Sequence, residues 1–169
     1  MHRIRVVALI AAAASLIPAA GSSQSRATRD SMTGVWCGSA RIVVDWARQK
    51  NLGVWLEIPP SGVITGQVGD ARLVGGRLEA NRGPVGRMLN IKTDYMIAGR
   101  LEGPIIAAEG ITRQSVKIPV NWTGSEFRGS VHSDGWKFGG KAHVVLTASQ
   151  LVLRRWIAPG ARTVVPGAC

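Results

Sequence analysis

Apolar and polar residues alternate along most of the chain after residue 33, and turn-forming residues interrupt the alternation about every 8 to 12 residues. Successive side chains of a β-strand point to opposite faces, so this period of two predicts strands that each bury one face. The sequence contains no stretch of 12 residues with a sustained helical stripe. Short strands at this spacing are typical of an all-β sandwich or barrel.

Neighbouring strands can be tested for register, because a slip of one residue would move every side chain to the other face. Hairpins folded about residues 59–62 and 123–126 each keep their apolar residues on one face. The predicted cross-strand pairs are Val54–Val68 and Leu56–Gly66 in the first hairpin, and Trp122–Phe127 and Val120–Gly129 in the second.

Turn-forming residues predict three further connections. One hairpin folds about residues 47–53 and sets Trp46 opposite Val54. A second turns at Asp134-Gly135, the strongest short hairpin signal, and a third turns at residues 147–150. Residues 69–90 contain several turn signals around one short strand, which is typical of a mobile loop at the mouth of a barrel.

A weak repeat of the form apolar-x-Gly-x-apolar indicates that the sheet closes on itself. Its glycines are Gly38, Gly66, Gly99 and Gly129, at intervals of 28, 33 and 30 residues. Each glycine shares the inward face with apolar neighbours, where strong coiling of the strands or a side chain crossing above would require it. The prediction is an antiparallel up-and-down β-barrel, or a strongly coiled meander, of about eight to ten strands.

The ends of the chain predict export. A positive start is followed by an uncharged apolar run and small residues, which together are typical of a cleaved signal peptide at residues 1–20. We expect a flexible linker at 21–33, the barrel domain at 34–156 and a C-terminal tail at 157–169. The mature protein would then be periplasmic or secreted, without stable insertion in a membrane.

Charge and cysteine content restrict the partners. The chain has 21 Lys and Arg against 10 Asp and Glu, but the arginines are scattered, which favours a solvated surface over a nucleic-acid site. An oxidising compartment would allow Cys37 and Cys169 to pair, giving about 4–5 kcal/mol in the chain-entropy model. Two free thiols, or a bond from Cys169 to another chain, are the alternatives.

The segment Gly34-Val35-Trp36 resembles the Gly-x-Trp that begins the first strand of lipocalins and other calycins. In that superfamily a basic residue late in the barrel packs over the Trp. The resemblance implies a barrel in which Arg155, pointing inward from the last strand, makes a cation–π contact with Trp36.

Residues that could carry catalysis or bind a metal do not converge in the predicted strands. His132 and His143 both point outward, and His132 with Asp134 offers two ligands where a metal site needs three or four. Ser133 and Asp134 are explained as turn formers. We therefore predict no catalytic residues, no metal and no cofactor.

Tryptophan is the unusual residue class, with six Trp against two Phe and one Tyr. The alternation places Trp36, Trp46 and Trp122 inward and Trp55 outward, whereas Trp136 lies at a hairpin mouth. An exposed Trp on a strand can stack on a sugar or insert into a partner protein. The candidate binding residues are Trp46, Trp55, Trp122 and Trp136, and the structural set is Trp36, Arg155, Gly66, Gly99 and Gly129.

Two functions fit these features. A non-catalytic barrel could hold a small apolar molecule, if the inner glycines leave space that the inner Trp residues do not fill. An extracellular interaction module, such as an enzyme inhibitor or a sugar-binding protein, would instead use Trp55, Trp136 and the loop at 69–90. An enzyme is less well supported, and an outer-membrane barrel would need aromatic girdles that the sequence lacks.

Overall fold

The computed structural model describes residues 30–81, 92–109, 112–137 and 142–157. These residues form eight strands and one short 3₁₀ helix at Ala107–Glu109. The strands are β1 (Gly34–Ile42), β2 (Asn51–Ile58), β3 (Val63–Val68), β4 (Ala71–Ala80), β5 (Tyr95–Glu102), β6 (Thr112–Trp122), β7 (Glu126–Lys137) and β8 (Ala142–Arg155).

The strands form one closed antiparallel up-and-down barrel, which confirms the predicted fold class. Each strand pairs with the next in sequence, and β8 returns to pair with β1 through Trp36–Arg155 and Gly38–Leu153. Closure leaves no sheet edge in the described part of the chain, so the backbone groups at both ends of the sheet find partners.

Two of the predicted hairpins have the predicted register. Between β2 and β3, Val54 lies opposite Val68 and Leu56 opposite Gly66. Between β6 and β7, Trp122 lies opposite Phe127 and Val120 opposite Gly129.

The predicted register of the hairpin about residues 47–53 was wrong. It placed Trp46 opposite Val54, whereas Val54 pairs with Gly38 and the connection runs through residues 43–50. β1 closes the barrel by pairing with both β2 and β8, and its residues 34–41 lie opposite β2 in place of the predicted residues 42–46. The shift is an even number of residues, so the inward face remains the one that the alternation predicts.

The predicted turn at Asp134-Gly135 was also wrong, because both residues lie within β7. β7 continues to Lys137 beside β6, and residues 138–141, which lie outside the described part, connect it to β8. Asp134 and Gly135 lie where the β6–β7 register shifts between Arg113 and Ser115, a β-bulge. The Ser133 hydroxyl, which the sequence assigned to a turn, donates to the backbone carbonyl of Ser115 at 2.9 Å.

A bulge likewise explains the wrong prediction of a turn at residues 147–150. β8 is continuous there, and its pairing with β7 and with β1 shifts register on either side of Gln150. Gln150 has a φ of 57°, in the left-handed region that such bulges use. Within residues 69–90, the short strand predicted near Arg72–Glu79 is β4, whose pairing with β5 shifts register between Val74 and Arg77. Residues 82–90 of the predicted loop lie outside the described residues.

The repeated inward glycines mark points where neighbouring strands approach closely. A Cβ atom on Gly38 would lie 1.8 Å from the carbonyl oxygen of Val152, and one on Gly129 would lie 1.9 Å from that of Pro119. Both distances are far below contact, so a side chain at either position would push two strands apart. Glycine at these two positions therefore allows the close strand approach that the strong coiling predicted from the repeat requires.

Glu126 at the start of β7 accepts hydrogen bonds from two arginines. The Arg128 guanidinium donates to one carboxylate oxygen at 2.5 Å, and Arg154 of β8 donates to the other at 3.3 Å. The hydrogen bond from Arg128, with a further contribution from Arg154 and against an opposing effect of desolvation, holds the pKa of Glu126 below its ordinary value of 4.5.

We expect Glu126→Gln to be less stable than the wild type at neutral pH, with the difference disappearing as the solution is acidified. A lowered pKa in the folded state stabilises the fold above the ordinary pKa, and this contribution is lost as the pH falls through the folded-state value. Urea unfolding at a series of pH values from 7 downward measures it, with Glu57→Gln as the control. A constant difference at all pH values would contradict the assignment.

Candidate functional site

One end of the barrel is filled by an aromatic cluster. Trp36 is fully buried, and its ring centroid lies 5.4 Å from that of Trp122 and 4.8 Å from that of Phe127. The Trp36 indole donates to the carbonyl of Met32 at 2.8 Å, so the residues just before β1 pack across this end. Trp122, a predicted binding residue, is partly buried and packs against the core.

The predicted contact of Arg155 with Trp36 is present. The guanidinium carbon lies 4.8 Å from the centroid of the Trp36 ring, and its nitrogens donate to the carbonyls of Thr33 and Ser31. These contacts of Arg155 link the residues at the start of β1 to the end of β8. A cation over an indole is worth about 0.5–2 kcal/mol.

The other end of the barrel is covered by the connection between β5 and β6. Ile105 and Ile106 are buried in the core cluster. Asp70, in the turn between β3 and β4, holds this connection: its N–H donates to the Ile105 carbonyl at 3.0 Å, and its carboxylate accepts the N–H of Ala107 at 2.8 Å. Side chains of the protein itself thus occupy both ends of the barrel.

A set of exposed apolar side chains lies on the outer face near this second end. Trp136 of β7 is 43% exposed, Val145 of β8 is 44% exposed and Val43 is 50% exposed. Val145 lies opposite Asp134, Trp136 lies opposite His143, and the N–H of Val43 donates to Thr147, two residues beyond Val145. We define the outer patch as Val43, Asp134, Trp136, His143 and Val145.

The polar members of the outer patch orient its Trp. The His143 ring packs edge-on against Trp136 with centroids 5.1 Å apart, and its Nε2 lies 3.7 Å from a carboxylate oxygen of Asp134. An amphipathic ring held in place by neighbours and open to solvent is typical of residues that anchor protein interfaces.

The remaining predicted binding residues are less accessible. Trp46 is half-buried in the connection between β1 and β2 and packs against the core. Trp55 points outward as predicted, between Cys37 of β1 and Gln67 of β3. It is only half-exposed, and its indole nitrogen is buried.

Cys37 lies on the outer face of β1, opposite Trp55 on one side and Arg154 on the other. It is not a free thiol. Its predicted partner, Cys169, lies outside the described residues, so the Cys37–Cys169 bond remains a prediction.

One polar pair was not anticipated from the sequence. The Ser130 hydroxyl and His132 Nε2 lie 2.9 Å apart on the outer face of β7. The spacing of two residues on one strand is the only signal for it, and it recurs wherever two polar residues alternate on a strand. In the described residues no acidic group hydrogen-bonds to the other ring nitrogen, as an activated serine would require.

Within the same described segments, no group of three or more His, Cys, Asp and Glu residues is arranged to hold a metal ion. No helix in these segments is long and apolar enough to cross a membrane. Comparison of the chain with protein-family models, with curated proteins and with solved structures finds no match.

Proposed function

We propose that this chain is an exported, non-catalytic β-barrel that binds another extracellular protein through the outer patch. Export is supported by the signal-peptide pattern at residues 1–20. The choice of a protein partner over a small ligand rests on one contrast. Buried side chains occupy the interior, whereas Trp136, Val145 and Val43 on the outer face are open to solvent.

The inner glycines support the same choice. From the sequence, these glycines were expected to leave room for a small apolar ligand. In the structure, the space beside Gly38 and Gly129 is occupied by the backbone of the neighbouring strand. Gly99 is crossed by the Leu73 side chain, whose nearest carbon would lie 2.6 Å from an added Cβ. These glycines bring strands together rather than enlarging a cavity.

Trp136→Ala is expected to weaken binding of the partner by about 30-fold or more, because truncating an interface Trp commonly costs at least about 2 kcal/mol. The measurement is the recovery of extracellular proteins on immobilised signal-free protein, quantified by mass spectrometry. Val63→Ala is the control, since Val63 is an exposed apolar residue, 50% exposed, that lies on β3. Equal recovery on wild type and Trp136→Ala would refute the assignment of the patch.

A second candidate, binding of a small apolar ligand, is supported by the resemblance to calycins. Gly34, Trp36 and Arg155 have the arrangement that the resemblance implies. We propose on this basis that the barrel is of the calycin type. Thermal unfolding with and without long-chain fatty acids distinguishes the two functions: a ligand present at 100 times its Kd would add about 2.7 kcal/mol, whereas partner binding at the outer patch predicts no change.

A further inference from the structure

The closed barrel brings together three cationic residues that are scattered in the sequence. Ala98 of β5 lies opposite Arg77 of β4 on one side and opposite Lys117 of β6 on the other. Arg100, the next outward residue of β5, lies opposite Ser115, two residues before Lys117. All three cations are exposed, whereas Ala98 between them is partly buried. We define the cationic cluster as Arg77, Arg100 and Lys117 around Ala98.

A β-bulge in β4 places Arg77 on this outer face. Leu73 is fully buried, so strict alternation would also direct residues 75 and 77 into the barrel. The register with β5 instead shifts between Val74 and Arg77, and Gly75 has a φ of 62°. As a result Gly76 is buried and Arg77 is exposed. Bulges are over-represented beside functional sites, where they re-aim a side chain.

Within the described part of the chain, none of the three cations takes part in a salt bridge. The outward acidic residues Glu79 and Glu102 flank the cluster, two residues along β4 and β5 from its arginines. Asp134, on the neighbouring strand β7, lies 3.7 Å from His143. Three like charges at adjacent positions repel one another, so an anion between them would be stabilised.

The cluster has the chemistry of an oxyanion site. A guanidinium presents a planar fork of N–H donors that fits two oxygens of a carboxylate or a sulfate group, and a lysine adds a point charge. Neighbouring strands lie about 4.8 Å apart, so Arg77 and Lys117 leave the backbone about 10 Å from each other on a convex wall. A flexible polymer with repeated anionic groups can follow such a wall, whereas a flat bilayer would contact it along a line only.

Two features favour a polysaccharide as that polymer. The described residues that form and adjoin the cluster include one exposed valine, Val63 opposite Arg77, and no exposed aromatic ring of the kind that anchors protein interfaces. The signal-peptide pattern at residues 1–20 favours a ligand outside the cytoplasm, and therefore a polysaccharide over a nucleic acid.

We propose that the cationic cluster binds the carboxylate or sulfate groups of an extracellular polysaccharide. The two arginines hold the oxyanions, and Lys117 neutralises a further group along the polymer. Beyond Lys117 the same row of outward residues reaches His132 and Thr147, whose polar side chains donate to sugar hydroxyls. Recognition depends on charge and not on stacking against an exposed Trp. The inference shares only the predicted export with the proposed function, because the outer patch lies around Trp136 on β7 and β8.

The test measures binding of the signal-free protein to immobilised heparin, which carries sulfate and carboxylate groups, and to polygalacturonate, which carries carboxylates alone. We expect binding to at least one of them at about 0.05 M salt. The triple variant Arg77→Gln, Arg100→Gln and Lys117→Gln should bind about tenfold more weakly, since each exposed ion pair contributes about two- to threefold. Raising the salt to about 0.5 M should remove most of this difference, because exposed charges are then screened.

The matched control is the triple variant Arg41→Gln, Arg48→Gln and Lys50→Gln. It removes the same charge, also from two arginines and one lysine, but on β1 and its connection to β2. We expect it to change binding by less than about twofold. Trp136→Ala should also leave binding unchanged, which separates this site from the outer patch.

Equal weakening in both triple variants would mean attraction by net charge alone and would overturn the proposal. Binding to phosphatidylglycerol vesicles without binding to either polysaccharide would overturn it as well, as would the absence of any binding. The single variant Lys117→Gln, with an expected weakening of about two- to threefold, gives the same decision if the triple variant does not fold.

Discussion

Trp36→Ala is expected to lower the free energy of unfolding by about 3–5 kcal/mol, the cost of truncating a buried aromatic ring. Trp36 is fully buried, contacts Trp122 and Phe127, and donates to the Met32 carbonyl. The substitution also removes the ring beneath Arg155, so the link between the start of β1 and the end of β8 is weakened. Because domains are stable by only about 5–15 kcal/mol, much of the total would be lost.

Urea unfolding followed by circular dichroism measures this loss. Trp136→Ala serves as the control, because Trp136 is exposed and its truncation should change stability by about 0.5 kcal/mol or less. If Trp36→Ala and Trp136→Ala were equally mild, the aromatic cluster would not be the core of this end of the barrel.

Gly129→Ala is expected to cost about 3 kcal/mol, the upper part of the range for overpacking, although it adds a single methyl group. The new Cβ would lie 1.9 Å from the Pro119 carbonyl oxygen on β6, and the clash is with backbone, which cannot move away as a side chain could. Relief requires β6 and β7 to separate at the Val120–Gly129 pair.

Gly53→Ala is the matched control for this experiment. Gly53 also lies inside a strand, β2, but a Cβ there would meet no atom within 4 Å. That substitution should be neutral or stabilising by up to about 1 kcal/mol, since alanine restricts the unfolded chain more than glycine does. A similar effect of both substitutions would mean that the glycine repeat reflects composition and not strand coiling.

The faces of the strands could be predicted from the sequence because they depend only on the alternation. Val54, Leu56, Val68 and Phe127 are all buried as the period of two requires. The predicted register between β1 and β2 was wrong, but it was shifted by an even number of residues. The predicted inward face of the strands was therefore correct.

The errors arose where pairing is decided by distant residues. Residues 34–41 pair with β2 in place of the predicted 42–46, and the same strand pairs with β8, more than a hundred positions away in sequence. Asp134-Gly135 has strong turn chemistry, but the long partner strand β6 keeps it within β7. Gln150 marks a bulge that depends on both neighbouring strands, so its local sequence resembled a turn.

The candidate site was predictable only in part. The unusual number of Trp residues indicated where to look, and Trp136 is exposed. The alternation could not show that Trp122 closes one end of the core, or that the Trp55 indole nitrogen is buried on the outer face. Both facts depend on which residues cover a position, and those residues are remote in sequence.

The most direct test of the account is whether the first and last strands pair, because only this pairing turns a meander into a closed barrel. NMR of the signal-free protein should show backbone NOEs between Trp36 and Arg155 and between Gly38 and Leu153, with slow amide exchange along β1. Absence of these NOEs, together with rapid exchange of the β1 amides, would contradict the closed barrel.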